Sequence, residues 1–219
     1  MKQIYQVFPK EAIGKLPRLL FDGPIEVIDT EEGMLRALDE LREERLLGID
    51  TETRPAFSKG KNYHVGLLQV ATKRKAYLFR LNKIGLTKEL AALLESNQVE
   101  KVGLSLGDDT LQLRRRMPRL SPCRLTDLQA VAKSFGIDDM SLKKLCANIL
   151  GRNLSKRQQL SNWNAPQLTE AQQRYAATDA WVCLLLLEEF KKLQNTSYHF
   201  IKHIYDNDQD TTTDTQARS

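Results

Sequence analysis

The chain has little of what secreted or membrane-embedded proteins depend on. Cysteine occurs three times, at Cys123, Cys146 and Cys183, an odd number with neither CxxC nor Cys/His zinc spacing. That excludes a disulfide framework and a structural zinc site, and the three read as reduced core thiols. Histidine is equally sparse, and His64 has no second His or Cys at ligand spacing, which removes a transition-metal role. No apolar run approaches the roughly 20 residues of a membrane helix, so no membrane partner is expected. Met1-Lys2-Gln3-Ile4-Tyr5 lacks the apolar stretch and small-residue cleavage site of a secretory signal. The expected location is cytoplasmic.

What is present describes a globular chain. Its 219 residues, 41% hydrophobic and 28% charged, suffice for one domain with a real core. Net charge is +5, yet residues 205–219 hold Asp206, Asp208, Asp210 and Asp214 against Arg218, which leaves the remainder at about +8. A basic body around acidic clusters suits a polyanionic partner.

Alternating apolar residues predict a strand at residues 25–28. Asp29-Thr30-Glu31-Glu32 then supplies cap and acidic first turn for a helix through about residue 44. Residues 46–50, 65–71 and 76–81 read as further strands, with a helix over 86–95 and a short strand over 101–104. After residue 107 almost everything reads as helical: a segment from Leu111 and Leu113, then 127–135, 141–150 and 169–193, with Ser141 and Thr169 as expected caps. Trp163 is expected to anchor a loop by packing rather than by stacking on a base. Residues 206–219, polar and threonine-rich, are expected to stay disordered.

Against this α/β background four carboxylates carry the chemistry. Asp50 and Glu52 flank Thr51 at a strand end, so alternation aims both acids to one face while Thr51 faces away. Tyr175 and Asp179 are four apart on a helix and share a face. Gly107-Asp108-Asp109 places acids at a helix start, where free backbone donors favour them. Taken singly, a solvated strand end, a tyrosine–aspartate hydrogen bond and a capping acid explain each. Three such features at the edges of apolar segments are a less ordinary coincidence. Clustered carboxylates hold hard divalent cations, and a pair of ions roughly 3.5–4 Å apart performs phosphodiester hydrolysis. A phenol near pKa 10 orients water rather than acting as a bulk base.

The segments Gly48-Ile49-Asp50-Thr51-Glu52, Val102-Gly103-Leu104-Ser105-Leu106-Gly107-Asp108-Asp109 and Tyr175-Ala176-Ala177-Thr178-Asp179-Ala180 resemble the three motifs of the DEDD exonuclease superfamily. Ser161-Asn162-Trp163 and Leu168-Thr169-Glu170-Ala171-Gln172 resemble the stretch before the third motif in ribonuclease D and the Werner-syndrome exonuclease domain. Tyrosine four residues before the last aspartate marks the tyrosine subtype; the histidine subtype has His one position earlier, where this chain has Arg174.

The resemblance implies a ribonuclease-H-like fold, a mixed central sheet flanked by helices with a helix-rich C-terminal half. It implies hydrolysis from the 3′ end to nucleoside monophosphates with two Mg²⁺ or Mn²⁺ ions. Asp50, Glu52 and Asp179 would hold the first ion, Asp50 and Asp109 the second, and Tyr175 would complete the catalytic set. Asp109 rather than Asp108 matches the second-motif acid.

Candidate substrate-binding residues are Thr51, Arg54, Phe57, Lys59, Lys61 and Lys143, with the basic run 152–157 beside them. Expected boundaries are an N-terminal extension over 1–22, an exonuclease domain over 23–205 and an acidic tail over 206–219. The nucleic-acid partner is expected as a single strand or a recessed 3′ end. Two other readings stay open: a noncatalytic binding module with a retired site, and a structure-specific endonuclease.

Overall fold

The computed structural model describes residues 1–56 and 62–202. In chain order these form β1 (Lys2–Tyr5), α1 (Lys10–Ile13), β2 (Ile25–Ile28), α2 (Glu31–Arg42), β3 (Leu46–Thr53), β4 (Val65–Ala71), β5 (Ala76–Phe79), α3 (Leu81–Ile84) and α4 (Lys88–Glu95). There follow β6 (Glu100–Gly103), α5 (Leu106–Arg114), β7 (Leu125–Asp127), α6 (Leu128–Ser134), α7 (Leu142–Leu145) running into a π-turn at Cys146–Leu150, α8 (Glu170–Leu193) and β8 (Tyr198–Ile201).

Six strands make a mixed sheet in the order β2-β5-β4-β3-β6-β7, in which β4 alone runs against its two neighbours. Every residue of β4 is buried, as befits an interior strand covered on both faces. One face packs Leu47, Ile49, Leu68 and Val70 against Met34, Leu38 and Leu41 of α2, Leu90 and Leu94 of α4, and Leu106 and Leu113 of α5. The other is covered by α6 and by α8, whose Ala177, Ala180 and Leu184 meet Ala71 and Val102.

Helix starts follow the local chemistry. Thr30 accepts from the Gly33 N–H at 3.2 Å ahead of Glu31 and Glu32. Thr169 and Gln172 form a reciprocal capping box that fixes where α8 begins. Ser141 occupies the expected cap position, but its side chain makes no capping bond.

Some elements depart from the sequence reading. The helix expected from Leu111 begins at Leu106, the strand expected over 76–81 ends at Phe79, β7 interrupts the stretch read as helical, and β8 follows its last helix. β8 pairs in parallel with β1, so both ends of the described chain share a small sheet. Residues 17–21 are also tied in: Asn153 donates to the Pro17 carbonyl and accepts from the Leu19 N–H, and the Phe21 N–H donates to the Thr178 hydroxyl. Residues 206–219 lie outside the described residues. Cys146 and Cys183 are buried, Cys123 is half-buried, and all three are free thiols.

Candidate active site

β3 carries Gly48, Asp50 and Glu52 on the face covered by α8. A Cβ on Gly48 would fall 2.1 Å from the Ala180 carbonyl oxygen. The missing side chain is what lets α8 press against the strand. Ala176 and Ala180, both fully buried, keep the helix face flat there. The contact delivers Asp179 to the end of β3, where one carboxylate oxygen each from Asp50, Glu52 and Asp179 lies within 4.8 Å of the others.

Three acids this close raise one another's proton affinity. Burial first, then the Asp109, Asp179 and Glu52 charges, pushes Asp50 well above the carboxylate range. Glu52 is raised to about 9 by burial and by the Asp179 and Asp109 charges. Asp179 rises to about 7 through burial, opposed by the Tyr175 hydroxyl and the Lys156 charge. The Tyr175 phenol, pushed upward by burial and by Asp179 and Glu52, remains protonated and sits against Asp179. Such a set fits a hard divalent cation, because it offers only oxygen donors and carries charge with too little counter-charge of its own.

Asp109 arrives from the opposite side of the sheet. α5 packs on the face toward which Thr51 points, and the Thr51 hydroxyl donates to an Asp109 carboxylate oxygen. Burial raises Asp109 to about 6, the Thr51 bond opposes the shift, and the Asp108 and Asp127 charges add to it. Thr51 faces away from Asp50 and Glu52, as expected, and braces the fourth acid; it also lines the cleft that holds those two acids. Asp108 is exposed and accepts from the Ser105 hydroxyl at 2.9 Å, a helix-start role.

Two clefts meet at Tyr175 and Asp179. One, of about 280 Å³, includes Asp50, Glu52, Lys143, Lys156 and Gln159 in its lining. The second, of about 360 Å³, runs past Arg18, Arg157 and Arg174. The sequence reading named Lys143 but missed Gln159 and Arg18, and held Lys156 and Arg157 only as part of a basic run. No local pattern marks them, and Arg18 reaches the cleft through the pairing with Asn153.

Arg54 is exposed and stands over the Tyr63 ring at 4.9 Å. Lys144 is engaged in an ion pair with Asp139. Phe57, Lys59 and Lys61 lie outside the described residues. Trp163 is fully buried and packs on the Tyr175 ring at 5.9 Å between centroids, in keeping with an anchoring role.

Residues 25–195 match the sequence model of the 3′-5′ exonuclease family. This chain belongs to that family. The exonuclease is 32% identical over 196 residues to the mouse bifunctional 3′-5′ exonuclease/ATP-dependent helicase WRN, a match covering 84% of this chain but 14% of the mouse protein. Among solved structures it superposes on the Aedes aegypti Nibbler EXO domain with a TM-score of 0.70 at 22% identity, over 79% of this chain and 89% of that one. Trypanosoma brucei RNase D in complex with RNA U12 gives a TM-score of 0.68 at 20% identity, over 77% and 63%. The shared fold is the ribonuclease-H-like one, and this is a 3′-5′ exonuclease domain of a family that uses divalent metals.

Proposed function

We propose that the protein removes nucleoside monophosphates from the 3′ end of a single strand or a recessed terminus, using Mg²⁺ or Mn²⁺ held by its own carboxylates. The observation that carries this reading is the convergence of Asp50, Glu52 and Asp179 within 4.8 Å beside a protonated Tyr175. In it Asp50, Glu52 and Asp179 hold one ion, and Asp109 joins Asp50 for a second. When bound, such ions lower the pKa of water and stabilise the leaving oxygen.

The residues supply the rest. The Tyr175 hydroxyl orients the attacking water toward the phosphorus of the last linkage. That water's oxygen forms the new bond to phosphorus while the bond to the penultimate 3′ oxygen breaks. The attacking water gives up a proton to solvent and the departing 3′ oxygen takes one up, so the shortened strand ends in a 3′ hydroxyl and the terminal nucleotide leaves with a 5′ phosphate. Lys143 and Lys156 offset phosphate charge along the cleft. The trypanosomal relative's structure in complex with RNA U12 supports a nucleic-acid substrate.

The set of four acids with Tyr175 argues against a retired site. Linear and circular oligonucleotides, as DNA and as RNA, labelled at the 5′ end where linear, test the reading. A ladder from the 3′ end in Mg²⁺ or Mn²⁺ and an uncut circle are expected. Cutting of the circle would make the protein an endonuclease, and equal degradation in excess chelator would end the metal-dependent reading.

A further inference from the structure

Gln69 lies on β4 directly opposite Asp50, with Leu78 of β5 on its other side. Paired antiparallel residues project to the same face, with Cβ atoms about 4.5–5.5 Å apart. Gln69 therefore shares the α8 face with Asp50, and a glutamine side chain spans that gap. It is 0% exposed, yet neither its amide nitrogen nor its amide oxygen has a hydrogen-bond partner. The fully buried Trp163, whose indole N–H is likewise unpartnered, packs with Leu67 and Leu78, two of the residues that adjoin Gln69 on that face.

An amide buried without partners forfeits the hydrogen bonds it made to water, whereas leucine would fill the space without that loss. The three orphan atoms match one another and the metal site in kind. The indole N–H is a donor for the amide oxygen, and the amide NH₂ is a donor for a carboxylate.

We infer that Gln69 is a positioning residue of the metal site: its amide N–H donates to the ionised Asp50 carboxylate, while its oxygen accepts from the Trp163 indole. The inference rests on the reading of Asp50 as a cation ligand. Outer hydrogen-bond partners fix the orientation of ligating carboxylates, and losing one typically weakens metal binding about 10–100-fold.

The test is a thermal-shift titration of the full chain with Mn²⁺ alone. In excess chelator Gln69→Leu should still melt cooperatively, because leucine fills the buried space that the amide leaves. It should then require at least about tenfold more Mn²⁺ to reach half of its metal-induced rise. A purely structural glutamine would alter the melting point in chelator and leave the Mn²⁺ midpoint within about twofold of wild type, which would overturn the inference. Gln69→Met, unbranched and without a donor, carries the same two expectations should the leucine variant fail to fold. A wild-type protein whose melting point ignores Mn²⁺ would instead contradict the metal-site reading itself.

Discussion

Thr51 donates its hydroxyl to the Asp109 carboxylate, so the residue between the two acids of β3 braces the acid of α5. Removing the hydroxyl with Thr51→Val keeps the β-branched shape and frees Asp109. Turnover should fall about tenfold or more while the fold is kept, the scale of a hydrogen bond to a charged group, about 1.5–3 kcal/mol. In parallel, Asp109→Ala should be far more severe than Asp108→Ala, whose side chain only serves the helix start. Steady-state rates on a 5′-labelled oligonucleotide check both, and a severe Asp108→Ala with a mild Asp109→Ala would move the site by one residue.

Gly48 couples the packing to the chemistry. The Cβ of Gly48→Ala would collide with backbone at Ala180, next to Asp179, and a carbonyl oxygen cannot rotate away as a side chain can. Overpacking of this kind costs about 1–3 kcal/mol. The variant should melt lower, and because α8 must shift it should also need more Mn²⁺ for half-maximal activity. An unchanged Mn²⁺ requirement would show that the helix position does not set the site.

The acids make a pH prediction whose sign is unusual for carboxylates. Asp179 is held up to about 7 and Glu52 up to about 9, in both cases by burial first. Their unfolded values lie near 4. A group with a raised folded pKa contributes stability in its protonated form, fully below the unfolded value and progressively less as pH climbs through the folded one. In excess chelator the melting temperature should therefore drop as pH rises from about 4 to 9. Mn²⁺ should flatten that slope by supplying the missing positive charge. Calorimetric scans across this range decide it, and a metal-free protein whose stability is flat or rises would contradict the clustering.

Much of the site was legible because its rules are local. Strand alternation placed Asp50 and Glu52 together, and i, i+4 spacing placed Tyr175 above Asp179 on a helix whose start Thr169 and Gln172 fix. What was not legible is contact between distant elements. Thr51 and Asp109 are separated by 58 positions, and no pattern in either segment signals that their side chains meet. β7 has three residues and β1 and β8 four each, too short for alternation to stand out. Gln69 reads as an ordinary strand position until its register opposite Asp50 is known. Arg18 joined the second cleft only through a pairing with Asn153 that no local spacing predicts.

Tyr175 separates packing from chemistry. Tyr175→Phe keeps the ring against Trp163 and deletes only the hydroxyl beside Asp179. Turnover should fall about 10²–10⁴-fold, with melting temperature and binding of a noncleavable strand little changed. Full turnover in the phenylalanine variant would make Tyr175 a structural residue.

The most direct measurement is the rate of mononucleotide release from a 5′-labelled single strand in Mn²⁺, compared between wild type and Asp50→Ala. Asp50 lies at the centre of the acidic cluster, and the charges of the other three acids all bear on it. The variant should lose several orders of magnitude in rate and, relieved of repulsion, melt no lower than wild type in excess chelator. Near-wild-type release by Asp50→Ala would show that these carboxylates do not hold the catalytic metal.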